Sequence, residues 1–126
     1  MSNMFCFQCE QTARGQACAA QMGVCGKKAD TAELQDKLVG ALVALAKSHP
    51  GAARTTATDL LMMEGLFTTV TNVSFDNESL QAKIAAVVAQ TGAEPIYDLQ
   101  KIWGADEDIR SLKSLILFGL KGIAAY

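Results

Sequence analysis

Beyond residue 25 this 126-residue chain contains no cysteine at all. A basic surplus is also missing. Eleven Lys and Arg against 13 Asp and Glu give a net charge of −2, with an isoelectric point near 5.3. That balance argues against a nucleic-acid partner, since nucleic-acid-binding domains present a basic face. Apolar runs are short and interrupted by Lys37, Lys47 or Lys113, so neither a membrane span nor an export signal is expected. A reducing cytoplasm is the expected compartment. Histidine occurs once, as His49 beside Pro50, where it reads as a helix-end residue favoured by the dipole rather than as a ligand or proton donor. No segment reads as a strand, an internal repeat or a low-complexity tract.

What remains is helical. Half the residues are hydrophobic, and alanine supplies much of that share, which favours closely packed helices in one domain spanning 1–126. Asp30 followed by Glu33 predicts a capping-box start, with Leu34, Leu38, Leu42 and Leu45 on one face and a stop before His49-Pro50-Gly51. Thr56 or Thr58 is the expected cap of a second helix carrying Leu60, Met63, Leu66, Phe67 and Val70. Asp76 is the expected cap of a third, with Leu80, Ile84, Val87 and Val88, ending at Thr91-Gly92. Residues 93–104 read as a loop with one helical turn at most. The acidic triplet Asp106, Glu107 and Asp108 suits the start of a last helix. Its expected buried face is Ile109, Leu112, Leu115, Ile116, Leu120 and Ile123. Four amphipathic helices with short connections predict an all-α bundle over 29–126, preceded by a cysteine-rich segment over 1–28.

That first segment holds Cys6, Cys9, Cys18 and Cys25, in the run Cys-x2-Cys-x8-Cys-x6-Cys. Four thiols suit one tetrahedral zinc ion or one iron–sulfur cluster. Gly15, Gly23 and Gly26 let backbone approach an inorganic core closely. Only Glu10 opposes Arg14, Lys27 and Lys28, a balance that suits a thiolate cluster's negative charge. Structural zinc more often uses two Cys-x2-Cys knuckles, and the second is absent. A redox Cys-x2-Cys pair would accompany a βαβ pattern, and paired disulfides an oxidising compartment. Spacing favours iron–sulfur and leaves zinc and free or paired thiols open.

The phrases MFCFQCEQTARGQAC and GVCGK, followed by TAELQDKLVGAL, resemble the amino terminus of the hybrid-cluster proteins, also called prismane proteins or hydroxylamine reductases. The resemblance recurs at TTVTNVSFD (68–76) and DIRSLKSLILFGLKGIAAY (108–126), so it touches the whole chain. It implies an all-helical first domain whose Cys6, Cys9, Cys18 and Cys25 hold one iron–sulfur cluster. Family members with 4Fe–4S and 2Fe–2S clusters differ in cysteine spacing. The x8 gap here matches the first group and the x6 gap the second, and 4Fe–4S is favoured. The resemblance further implies electron transfer to a hybrid cluster that reduces hydroxylamine or nitric oxide. All four cysteines being committed, that second cluster belongs only to a longer parent, and this chain carries no catalytic residue. The expected partners are a redox protein as electron donor and the remaining domains of that parent. The alternative from a different class is a structural zinc module for protein interaction.

Other candidates have plainer readings. Glu64 is expected to face solvent or a basic partner. Met62 and Met63 read as core filler, and Tyr97 and Trp103 as cover for a core edge. The apolar pattern of GLKGIAAY reaches the last residue without a Gly or Asn cap behind it, which suggests a cut within a helix. The last helix also has more apolar residues than one buried stripe needs, so self-association, such as a homodimer, is expected.

Overall fold

A computed structural model describes residues 4–9, 17–70 and 74–126. Glu10, Arg14 and Gly15, and positions 71–73 of the 68–76 phrase, lie outside the described residues. Among the described residues five α-helices follow the cysteine segment: α1 (Ala29–Ser48), α2 (Thr56–Thr68), α3 (Asn77–Thr91), α4 (Gln100–Trp103) and α5 (Glu107–Ala125), with a 3-10 turn at Gly51–Ala53. Among the described residues there is no strand, only two isolated antiparallel bridges near the amino terminus. The all-α expectation holds.

α1 is the central element because its middle is apolar or small on every side. Leu38, Val39, Ala41, Leu42, Ala44 and Leu45 are all buried. It packs most extensively on α3, through Leu80, Ile84 and Val87, and then on α2 through Leu66. α5 leans on α2 and α4. The last turn of α1 closes with the His49 N–H and the Ser48 hydroxyl both donating to Leu45 O, at 3.2 and 3.0 Å. His49 is therefore the helix-end residue its position suggested.

Two caps differ from expectation. α1 begins at Ala29 with Lys28 as N-cap and no side-chain cap bond. Asp30 instead accepts from the Thr31 N–H and from Asn77 at the start of α3, so it ties two helix starts together. α2 is capped by Thr55. The Thr58 N–H donates to its hydroxyl oxygen, and Thr58 Oγ1 accepts from the Thr55 N–H, a reciprocal box that makes Thr58 the third helical residue rather than the cap. Asp76 caps α3 as expected, accepting from the Glu78 and Ser79 N–H groups, and Gly92 ends that helix at φ +61°.

Buried faces differ more. On α2, Leu60, Met63 and Phe67 are exposed, and Thr58, Gly65 and Leu66 face the core, with Met62 half-buried beside them. Gly65 is the reason. A Cβ there would meet the Leu42 side chain at 2.7 Å, so α2 approaches α1 along its smallest residue. On α3, Val88 is exposed. On α5 the expected face is turned away entirely: Ile109, Leu112, Leu115, Ile116, Leu120 and Ile123 are all exposed. Leu117 and Lys121 are the buried residues instead. Glu64, as expected, takes a surface partner, Lys83, at 2.7 Å.

The loop before α4 crosses α1 at Gly40. The Tyr97 N–H donates to Gly40 O at 3.1 Å, and a Cβ on Gly40 would lie 2.2 Å from Tyr97 O. Gly40→Ala must therefore push this loop away. Overpacking of this kind costs about 1–3 kcal/mol, and the better helix propensity of alanine offsets at most about 1 kcal/mol. Urea unfolding should show a lower midpoint for Gly40→Ala than for the wild type.

Candidate metal centre

The cysteine segment is built by backbone pairing. Cys6 and Cys18 exchange both hydrogen bonds, N to O 3.1 and 3.2 Å, and the Met4 N–H continues the pair to Ala20 O at 2.9 Å. Directly opposed residues of an antiparallel pair project to the same side, so this pairing brings Cys6 and Cys18 together. A second bridge joins Met22 to Lys28. Between its arms the Gly23 N–H donates to Lys27 O, and the Gly26 N–H donates to Gly23 O. Gly26 closes this turn at φ +86°, a left-handed conformation that glycine adopts without steric cost. Cys25 stands on the turn, exposed. Its Sγ would lie 3.5 Å from a Cβ on Gly23, so the thiol lies close over glycine backbone.

The four thiols thus occupy different depths. Cys6 is buried, Cys9 and Cys18 half-buried and Cys25 exposed, and none is in a disulfide. Among the described residues no group of three or more His, Cys, Asp or Glu side chains converges as a metal-holding set. The structure brings Cys6 opposite Cys18 and sets Cys25 apart on its turn. Donor chemistry nevertheless suits a soft metal: four cysteine thiols in one segment, with a lysine turned inward against Cys6. Lys27 is 2% exposed. Its Nζ lies 3.8 Å from Cys6 Sγ and 5.8 Å from the centre of the Phe75 ring. Burial pushes the Cys6 thiol above its ordinary range, against the lowering effects of the Gln8 backbone hydrogen bond and Lys27.

Around Cys6 lies a buried polar chain that the sequence did not advertise. The Gln8 carboxamide donates through Nε2 to Asp36 Oδ1 on α1. Its Oε1 accepts from Lys121 Nζ on α5. Lys121 also donates to Thr69 O at the end of α2, at 3.2 Å. Burial raises the Asp36 carboxyl to about 6 and lowers the Lys121 ammonium to about 8, in each case outweighing their mutual attraction across Gln8. Phe7, between Cys6 and Gln8, stacks on Trp103 with centroids 4.8 Å apart and planes at 17°. One signal did stand in the sequence: Lys121 is a lone cation in the otherwise apolar last turns of α5.

Fold and site together define a helical domain with a thiol-rich corner. The Prismane/CO dehydrogenase family pattern matches residues 4–126, and the chain belongs to that family. It is 39% identical to a hydroxylamine reductase of Maridesulfovibrio salexigens, over 98% of this chain and 28% of that protein. Identity is 37% to a hydroxylamine reductase of Methanocella arvoryzae and 38% to one of Desulfitobacterium hafniense, covering 98% of this chain and 30% and 29% of theirs. The chain therefore spans less than a third of the length of these relatives. The alignment with the first runs over 156 positions, more than the 126 residues present here, so that relative carries residues within the matched stretch that this chain lacks. No solved structure matches. No helix among the described residues is long and apolar enough to cross a membrane.

The raised Asp36 carboxyl has a consequence for stability. Its folded value, about 6 against 3.8, means that the native state binds more protons than the unfolded state between pH 4 and 6. Stability therefore falls as pH rises through that window, and the ionised carboxyl is the costly form. Asp36→Asn keeps the acceptor for Gln8 and removes the titration. In urea unfolding of metal-free protein, the wild type should lose up to about 3 kcal/mol between pH 4 and 6.5 relative to Asp36→Asn.

Proposed function

We propose that this chain is an iron–sulfur electron-transfer domain of a hydroxylamine-reductase-type enzyme, with Cys6, Cys9, Cys18 and Cys25 as thiolate ligands of one cluster. What supports it is the run of four cysteines, with Cys6 opposite Cys18 and beside inward-turned Lys27, in a chain 98% of which aligns with hydroxylamine reductases. A cluster bound there supplies reversible one-electron transfer; 4Fe–4S is the type we favour over 2Fe–2S, on cysteine spacing. The protein's own residues do the rest. Lys27 sets a positive charge against one ligand sulfur, and Gly23 and Gly26 give the Cys25 turn its close backbone. Met4 and Ala32 pack with Cys6 and exclude water from its inner side.

With all four cysteines committed to one cluster, hydroxylamine or nitric oxide reduction falls to a hybrid cluster held by further polypeptide of the length the relatives have. A reducing cytoplasm and a redox protein as electron donor complete this reading. The segment 1–28 and the bundle 29–126 act as one domain, because Met4 and Phe7 are buried with the helices.

Two measurements test the proposal. Anaerobic reconstitution with iron and sulfide should give one brown cluster per chain. Cys6→Ser or Cys25→Ser should lose most of the iron, and wild-type-like iron in both variants removes the ligand assignment. A colourless protein holding one zinc ion would favour a structural zinc module instead. The 126-residue chain with a reduced dye should not turn over hydroxylamine at an enzyme-like rate, and steady turnover would sink the division of labour.

Lys27 provides a separate prediction. A cation beside a ligand sulfur favours the more negative, reduced state of a thiolate cluster. Redox titration should therefore give Lys27→Met a lower reduction potential than wild type, while Lys28→Met, at an exposed position, should stay near it.

A further inference from the structure

The outward face of α5 is built as an interface. Ile109, Leu112, Ile116, Gly119, Ile123 and Tyr126 recur at alternating steps of three and four, the a and d spacing of a helix-pairing seam, with β-branched isoleucine at every a position. Leu115 and Leu120 widen that seam. On a helical projection these residues cover an arc of roughly 140°, interrupted by no charge after Asp108. The arc lies opposite the side that docks on the bundle through Leu117 and Lys121. Its exposures are 62% for Leu112, 70% for Leu115, 63% for Ile116 and 73% for Ile123.

Two observations say what covers this face. The first is area. Weighted by exposure, the stripe presents on the order of 600 Å2 of apolar surface, the upper end for the largest patch on an ordinary monomer. Two such stripes face to face bury roughly 1,200 Å2, where specific protein interfaces begin. The second is glycine. Gly119 and Gly122 sit inside a helix, where glycine is unfavourable, and a Cβ at either would meet nothing within 4 Å. Packing within one chain thus gives no reason for them, whereas close approach of a second helix backbone does.

We propose that the outward face of α5 is a two-fold interface at which a second copy of this chain packs, α5 against α5, through Leu112, Ile116, Gly119 and Ile123. The same patch then serves both copies, and the assembly closes at two. The proposal is independent of the cluster assignment.

Sedimentation equilibrium of the 126-residue chain in reducing buffer, from 1 to about 100 μM, decides it. The expected result is a mass rising from one 13.4 kDa chain to a plateau at two. Ile116→Asp should abolish the rise with an unchanged helical circular dichroism spectrum, because the position is already solvent-exposed in the monomer. Ser111→Asp, outside the stripe, should leave it intact. A single-chain mass throughout overturns the proposal and gives the face to another occupant, such as further polypeptide of a longer protein. A dimer that survives Ile116→Asp places the interface elsewhere and overturns it equally. Growth past two copies without a plateau, or unfolding of Ile116→Asp, also counts against it: the first denies a closed interface and the second an exposed stripe.

Discussion

The carboxamide of Gln8 joins parts of the chain that lie far apart in sequence. It donates to Asp36 on α1 and accepts from Lys121 on α5, which in turn reaches Thr69 O at the end of α2. A neutral amide between a half-buried acid and a buried base satisfies both without direct contact between the charges. Removing Gln8 would take a hydrogen bond from Asp36 and one of its two acceptors from buried Lys121, which costs more than an ordinary hydrogen bond returns. The position of the cysteine segment, the docking angle of α5 and the surroundings of Cys6 all follow from this joint.

Aromatic packing reinforces the joint from the other side. Phe7 belongs to the main core and stacks on Trp103 of α4, while Phe5 tilts against Phe7 at 4.7 Å. Core burial therefore anchors the described part of the amino-terminal segment in its own right. Its alternate residues Met4, Cys6 and Gln8, together with Phe7, are buried by the bundle. A thiol held this way has its position set by the helices, and its electrostatic surroundings by Lys27 on one side and Asp36 on the other.

α5 shows the same economy of constraints. A helix apolar on nearly every side has two ways to dock, and the buried polar chain selects between them. Lys121 must reach Gln8 and Thr69, so the Leu117–Lys121 side turns inward. The longer apolar stripe then faces out, although it is the more hydrophobic of the two. Hydrophobic burial is non-directional, while an ammonium group in the interior is stable only where its acceptors are.

Sequence alone determined the all-α class, the extents of α1, α3 and α5 to within a residue or two, and the grouping of thiols at one end. These depend on local physics: helical periodicity, a proline after His49, an aspartate at Asp76 and a glycine at Gly92 act within a turn of their own position. The phrases around the cysteines carried the family in the same local way. Tertiary structure alone decided which face of α2 and α5 is buried, that Thr55 rather than Thr56 or Thr58 caps α2, and that Lys27 turns inward against Cys6. Each of those outcomes rests on a partner remote in sequence: Leu42 against Gly65, Gln8 and Thr69 around Lys121, Cys6 beside Lys27. A periodic pattern states how much apolar surface a helix carries, but the direction it faces is set by the few contacts that cannot be made anywhere else.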